Sequence, residues 1–247
     1  MAPRSVSLFA CAVGVCLPWV SHAQSATVNG TVALSSQLVD RGLAITPDTL
    51  ILQGAVSVAL PSGWVFGGSA STEARDVAPL AETIVQASHY WRIAPDWQLQ
   101  AGAAYYDYPG RGNGSFNRAE GSVNWIWRDV LTLGVSAIYP TGGTGHSLRG
   151  AADVNFHWPL PWDFSFSAGA GYSQAQVPYY RAYPNGRGGS YGYHGGDRVN
   201  SYPYGHVGLI WGRGPWHVEV DRVLADPDMR RENQSASPWV ATVSLSF

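Results

Sequence analysis

The sequence predicts an all-β chain, a twelve-stranded antiparallel transmembrane β-barrel of up-and-down connectivity. Three observations predict it. Apolar and polar residues alternate with period two along most of the chain, the connections between these segments are alternately short and long, and Trp is separated from Tyr along the strands.

Composition narrows the field first. The chain has 247 residues, 15 Arg and no Lys against 17 acidic residues, for a formal net charge of −2. So small and evenly mixed a charge does not suggest a nucleic-acid binder. Mean hydropathy is −0.09, and beyond residue 23 no apolar run approaches the ~18–20 residues of a membrane helix, which excludes a helical membrane protein. The 29 Gly, eleven Trp and thirteen Tyr suit strands and turns. Without Lys there is no phosphate-binding loop of the Gly-rich, Lys-containing kind.

Residues 1–23 read as a cleaved secretory signal peptide. Arg4 gives the positive start, Ser7 to Val20 the apolar middle, and Ser21-His22-Ala23 the small residues before Gln24. Both cysteines, Cys11 and Cys16, fall in this leader. Leu8-Phe9-Ala10-Cys11 is a faint lipoprotein box, set aside because cutting there would leave almost no apolar stretch before it. The remaining domain, 24–247, has no thiol, so no disulfide framework supports it.

Within that domain Thr27–Arg41 alternates Val28, Val32, Leu34 and Leu38 with Asn29, Thr31, Ser35, Gln37 and Arg41. Ten further segments follow near 50–60, 64–73, 81–93, 97–107, 117–128, 130–139, 148–158, 162–172, 202–211 and 216–224, and the last nine residues close the series. Their even number suits a barrel. Short connections fall at Pro61-Ser62-Gly63, Ala94-Pro95-Asp96, Arg128-Asp129, Pro159-Leu160-Pro161 and Gly212-Arg213-Gly214-Pro215. Long ones fall near 42–49, 74–80, 108–116, 140–147, 173–201 and 225–237. Short periplasmic turns and long extracellular loops are the habit of outer-membrane barrels, and a soluble sandwich has no cause to sort its loops so. Nine of the ten Trp beyond the leader lie beside a short turn, from Trp64 to Trp216. Twelve of thirteen Tyr lie at the other end or in its loops, among them Tyr105, Tyr106, Tyr108, Tyr139, Tyr172, Tyr202 and Tyr204. Amphipathic rings favour the boundary between water and lipid, so two belts mark two interfaces.

Asp40-Arg41-Gly42-Leu43 with Pro47 and Gln53-Gly54, then Tyr106-Asp107-Tyr108-Pro109-Gly110 with Glu120, resemble the corresponding segments of the TorF-type porins. The resemblance runs from the first strand to Phe247 and implies an outer-membrane barrel, a channel without an established substrate. The closing alternation is similar to the C-terminal signal read by the barrel-insertion machinery. The long Tyr/Gly/Arg loop 173–201 departs from the family pattern.

With the Trp-bearing faces toward lipid, parity assigns the inward set. Much of it is small: Ala55, Ser57 and Ala59; Gly67, Ser69 and Ser71; Thr132, Gly134 and Ser136; Ser165, Ser167, Gly169 and Gly171; Thr242, Ser244 and Ser246. Small walls leave space inside. The candidate pore-lining polar residues are Gln37, Arg41, Arg92, Arg118, Glu120, Arg149, Asp153, His217, Glu219 and Asp221. Arginine and carboxylate in one tube set a transverse field that orients polar solutes; the plainer reading pairs them off as a network bracing the wall. Arg181, Tyr183, Tyr191 and Arg198 are candidates for a constriction or cap formed by loop 173–201, against the reading of a solvated surface loop.

The functional expectation is passive diffusion of small hydrophilic solutes through a narrow, mixed-charge lumen, with no strong ion preference because both signs occur in similar number. The expected partners are outer-membrane lipid, the insertion machinery through Phe247, and small solutes; oligomeric state stays open. No cofactor is expected, and no metal, although His217, Glu219 and Asp221 share a strand face. An enzyme is not expected. His146 and Ser147 are neighbours in extended chain and point to opposite sides, and no His has Ser two positions on, the spacing that puts both on one face. The alternatives are a closed barrel acting through its extracellular loops in adhesion or membrane organisation and, further off, a lipid hydrolase.

Overall fold

The computed structural model describes residues 25–109, 116–142, 146–176, 199–225 and 236–247; the leader lies outside them. Twelve strands close into one barrel: β1 (Thr27–Ser35), β4 (Ile51–Ala59), β5 (Trp64–Glu73), β6 (Asp76–Ala94), β7 (Trp97–Asp107), β8 (Arg118–Trp127), β9 (Leu131–Pro140), β10 (Arg149–Pro159), β11 (Phe164–Gln176), β12 (Val199–Arg213), β13 (Trp216–Ala225) and β14 (Trp239–Ser246). Each pairs antiparallel with its neighbour around the ring, and β14 returns to β1 from Thr31↔Ser246 to Ser35↔Thr242. A two-residue pair of strands, β2 (Val39–Asp40) and β3 (Leu43–Ala44), forms a separate small hairpin.

The ring ends on one residue pair. Gly30 N donates to Phe247 O at 2.7 Å and Phe247 N to Gly30 O at 2.9 Å. The Phe247 ring lies over Gly30, where a Cβ would stand 2.5 Å from Cε2. Closure leaves no strand edge, which a hydrocarbon environment demands.

Parity holds along the strands. Val28, Val56 and Val85 are 64%, 55% and 62% exposed on the outer surface, whereas Ser35, Ser71, Glu82, Arg118, Glu120 and Ser167 are buried on the inner one. The short connections are tight turns. Arg128 and Asp129 (φ 50° and 57°) and Trp162 and Asp163 (both 62°) occupy the left-handed region in pairs, the two-residue type I′ geometry whose twist matches antiparallel strands. Across neighbouring turns Arg128 Nη2 donates to Asp96 Oδ2 at 2.9 Å, an exposed pair worth well under ~1 kcal/mol.

Three sequence expectations need correction. The first strand does not run to Arg41; it ends at Ser35. There Ser35 Oγ donates to the Gln37 carbonyl at 3.0 Å, and Ser36 Oγ accepts from Ala241 N at 3.1 Å. Such local hydroxyl bonds let the chain leave the ladder. The connection near 74–80 is not long. β5 and β6 pair out to Glu73↔Asp76, and a register shift beside Thr72 absorbs the surplus residues. Pro79 reads as a loop signal but sits at this irregularity, where no ladder N–H is required. Thr72 Oγ1 donates to the Pro79 carbonyl at 2.9 Å. Finally, the Tyr belt is only half a belt. Tyr105, Tyr139 and Tyr172 face outward at 41–54% exposure, but Tyr108 and Tyr202 are buried and Tyr106 and Tyr204 share their strands' inner faces.

Candidate functional site

The site is assembled where the chain leaves β1. Arg41 and Gly42, with φ of 47° and 77°, make the two-residue turn of the β2–β3 hairpin. Gly42 takes this conformation freely; for Arg41 it costs about 1–2 kcal/mol, offset by what its side chain meets. The base of the hairpin is fixed by backbone and side-chain bonds: Ile45 N to Leu38 O at 2.9 Å, Gln37 Nε2 to Thr46 O at 3.0 Å, Leu38 N to Thr46 Oγ1 at 3.1 Å and Ser237 N to Gln37 Oε1 at 2.7 Å. Leu38, Ile45 and Ile51 pack with Tyr108 in an apolar cluster, flanked by Tyr106 and Phe116. Burial of these side chains, at about 1.5–3 kcal/mol each, holds the hairpin inside the barrel.

The hairpin tip is held by charge. Arg41 meets Glu120 through both guanidinium nitrogens, one contact at 3.1 Å, and lies close to the Tyr204 hydroxyl. It thus reaches β8 and β12, two walls of the ring. Asp40 pairs with Arg118 at 2.9 Å, and Arg118 Nε lies 3.4 Å from Glu120. Arg118 covers the Tyr106 ring at 3.9 Å to the centroid and donates to the Tyr108 hydroxyl at 3.1 Å, with the Glu82 carboxyl close by. Burial, with Asp40 nearby, pushes the Tyr108 hydroxyl pKa up and keeps it protonated. Two cations and two anions, Arg41, Arg118, Asp40 and Glu120, therefore neutralise one another.

The predicted residues separate into groups. Arg41, Arg118 and Glu120 meet, but Arg41 arrives from the hairpin and not from a strand face. Gln37, expected to line a pore, is 2% exposed and bound to backbone at the hairpin base. Arg92 shares the inner face of β6 with Ser88 and Asp153 that of β10 with Ala151, while on β13 His217, Glu219 and Asp221 are register partners of Ser244, Thr242 and Gly208. Arg149 is buried at the long-loop end of β10. Arg181, Tyr183, Tyr191 and Arg198 lie outside the described residues. Sequence reading missed Asp40, Glu82 and Tyr108 as members of the site. Glu82 was accessible through parity, since it shares the inner face of β6 with Gln86 and Ser88.

The small inner residues do not all leave space. Tyr204 lies across Gly171, His206 across Gly169, Asn124 and Asp153 across Gly134, and Asp221 with Ser167 across Gly208. On that side glycine admits flat-lying neighbours. On the other side, a cavity of about 240 Å³ opens against β1, β4, β5 and β6, lined by Asn29, Thr31, Ala55, Ser57, Ser69 and Gln86 among others. Beside it Tyr90, Gln100 and Asn124 form a polar ladder through bonds of 2.8 and 3.0 Å.

A closed antiparallel ring, apolar outside and polar within, has the architecture of a membrane-spanning β-barrel. No family model matches the chain, and no curated protein matches its sequence. Solved structures do share the fold. The NanC porin aligns over 90% of this chain and 99% of its own with a TM-score of 0.56 at 14% identity. The KdgM porin, solved in complex with disordered oligogalacturonate, aligns over 90% and 98% with 0.51 at 10% identity. At such identities the likeness is one of architecture.

Proposed function

We propose that the protein is a channel of the outer membrane of a Gram-negative bacterium, exported by its 1–23 leader, through which small hydrophilic solutes diffuse without an energy source. The TorF-type segments around Asp40 and Tyr106 support this reading. So does the aromatic C-terminus, through which the insertion machinery would take up the barrel. The observation that carries it is a cavity of about 240 Å³ against β1, β4, β5 and β6, where Asn29, Thr31, Ser57, Ser69 and Gln86 alternate with Ala55, Val56, Gly68 and Ile84. The β2–β3 hairpin narrows the mouth, Arg41, Arg118 and Glu120 screen what passes it, with Arg149 at the level of Glu120, and Arg92, Asp153, His217, Glu219 and Asp221 face the path beyond. A fold shared with porins accords with a transport role in place of catalysis.

The packed hairpin also favours a second reading, a barrel closed at its mouth that acts through its outer loops. Swelling of proteoliposomes in small sugars separates the two. Swelling that slows as the sugar grows supports the channel; vesicles that stay intact in every sugar support the closed barrel.

A further inference from the structure

Of the ten Trp beyond residue 23, Trp239 is the one that stands at the long-loop end, at the start of β14. An arginine covers it: the Arg222 guanidinium carbon lies 5.3 Å from the centre of the Trp239 ring. The two are register partners across β13 and β14, the pair of that ladder farthest from Trp216 and its short turn. Parity turns Arg222 outward, and it is exposed. So are Val220 and Leu224, two positions before and after it on the same strand, and Val207, its partner on β12. A cation thus stands inside a field of outward apolar side chains, with Val220 and Leu224 along the strand and Val207 and Trp239 to either side.

Arginine cannot shed its charge. On the lipid face of a barrel it is costly at mid-depth and cheap only near an interface, where its long stem lets the head reach polar groups. Among the described residues Arg222 has no carboxylate partner, unlike Arg41, Arg118 and Arg128. The indole meets the charge with its π face but leaves the N–H fork open, and that fork matches the oxygens of a phosphate. Long loops mark the outer side of such a barrel. The outer leaflet there is a phosphorylated glycolipid, lipid A, whose phosphates lie at the boundary where Trp and Tyr rings gather.

We propose that Arg222 and Trp239 form a site on the outer wall for a phosphate of lipid A, whose acyl chains lie against Leu209, Val220 and Val243, exposed on the same face. This rests on the outer-membrane part of the proposed function and needs no conduction. The test is native mass spectrometry of the full protein in magnesium-free detergent, titrated with diphosphoryl lipid A or with its dephosphorylated form. Wild type should bind the phosphorylated lipid about tenfold more tightly. Arg222→Gln should cut that preference to about twofold or less, and Trp239→Leu should weaken it about threefold. Arg213→Gln is the control, since Arg213 is an exposed arginine at the short-turn end of β12, and it should keep the full preference. Heat-sensitive mobility of the folded barrel in detergent gels verifies that each variant is assembled. No preference in the wild type, one unchanged in Arg222→Gln, or one lost equally in Arg213→Gln overturns the site and leaves the channel standing. Folded protein that stays out of lipid vesicles overturns the outer-membrane reading and the site with it.

Discussion

Arg41 and Glu120, 79 positions apart in the chain, face each other through paired nitrogen–oxygen contacts inside the barrel. This pairing turns a surface loop into an internal element. A two-residue turn carries Arg41 inward, and β8 supplies the carboxylate that receives it. Glu120 accepts from both Arg41 and Arg118, so its charge is met from the hairpin and from its own strand.

Arg41→Ala removes the tip contact but leaves Glu120 beside Arg118. It should lower stability by about 1–2 kcal/mol, and Glu120→Gln, which takes from both arginines their shared negative charge and puts an NH₂ group where an acceptor oxygen was, by about 2–3 kcal/mol. The double variant should lose less than the sum, with a coupling of about 1 kcal/mol or more. Guanidinium unfolding followed by Trp emission measures all three, and additive losses would show that the two residues act independently.

Gly42 has φ of 77° at the turn. Gly42→Ala should cost about 1–2 kcal/mol, since a side chain there clashes with its own backbone. Gly54→Ala is the control: a Cβ at Gly54 meets nothing within 4 Å, and the change should stay within about 0.5 kcal/mol. Equal effects at both positions in the same unfolding assay would remove the turn argument.

At the seam between first and last strands, Gly30→Val drives a branched side chain into the Phe247 ring. Deleting Phe247 forfeits two backbone hydrogen bonds, each worth about 0.5–1.5 kcal/mol. Both variants should yield a smaller heat-sensitive folded fraction in detergent gels after refolding, Gly30→Val because the ring must leave its seat. A Gly30→Ala protein should fall between wild type and Gly30→Val, and a folded fraction indifferent to all three changes would sink the account of closure.

Much of the barrel was legible in the residues. Period two survives in every wall strand because lipid selects one face and water the other, so Val56 and Ser57, or Val220 and Asp221, separate by parity alone. Where parity failed, a local competitor won. Thr27–Arg41 keeps alternating beyond Ser35, yet the ladder ends because the Ser35 and Ser36 hydroxyls take up backbone partners and Leu38 finds Ile45, Ile51 and Tyr108. Arg41-Gly42 is a turn signal that the continuing alternation hides. Pro79 marks a register shift inside an extended hairpin. The inner glycines read as empty space, but whether a glycine is a void or a seat depends on the residue opposite, Tyr204 for Gly171 and Asp221 for Gly208. That information lies in register, which one strand's sequence does not carry.

Both cysteines, Cys11 and Cys16, fall within residues 1–23, so a protein beginning at Gln24 carries no thiol and a single one can be introduced without interference. Ser57→Cys puts it in the cavity wall, and Val56→Cys puts it one residue away on the outer face, where Val56 is 55% exposed. The decisive measurement is single-channel conductance before and after a charged, membrane-impermeant thiol reagent. A hollow barrel predicts discrete steps in both proteins, reduced by the reagent in Ser57→Cys and unchanged in Val56→Cys. Steps that ignore the reagent at Ser57→Cys, or that fall only at Val56→Cys, would contradict it.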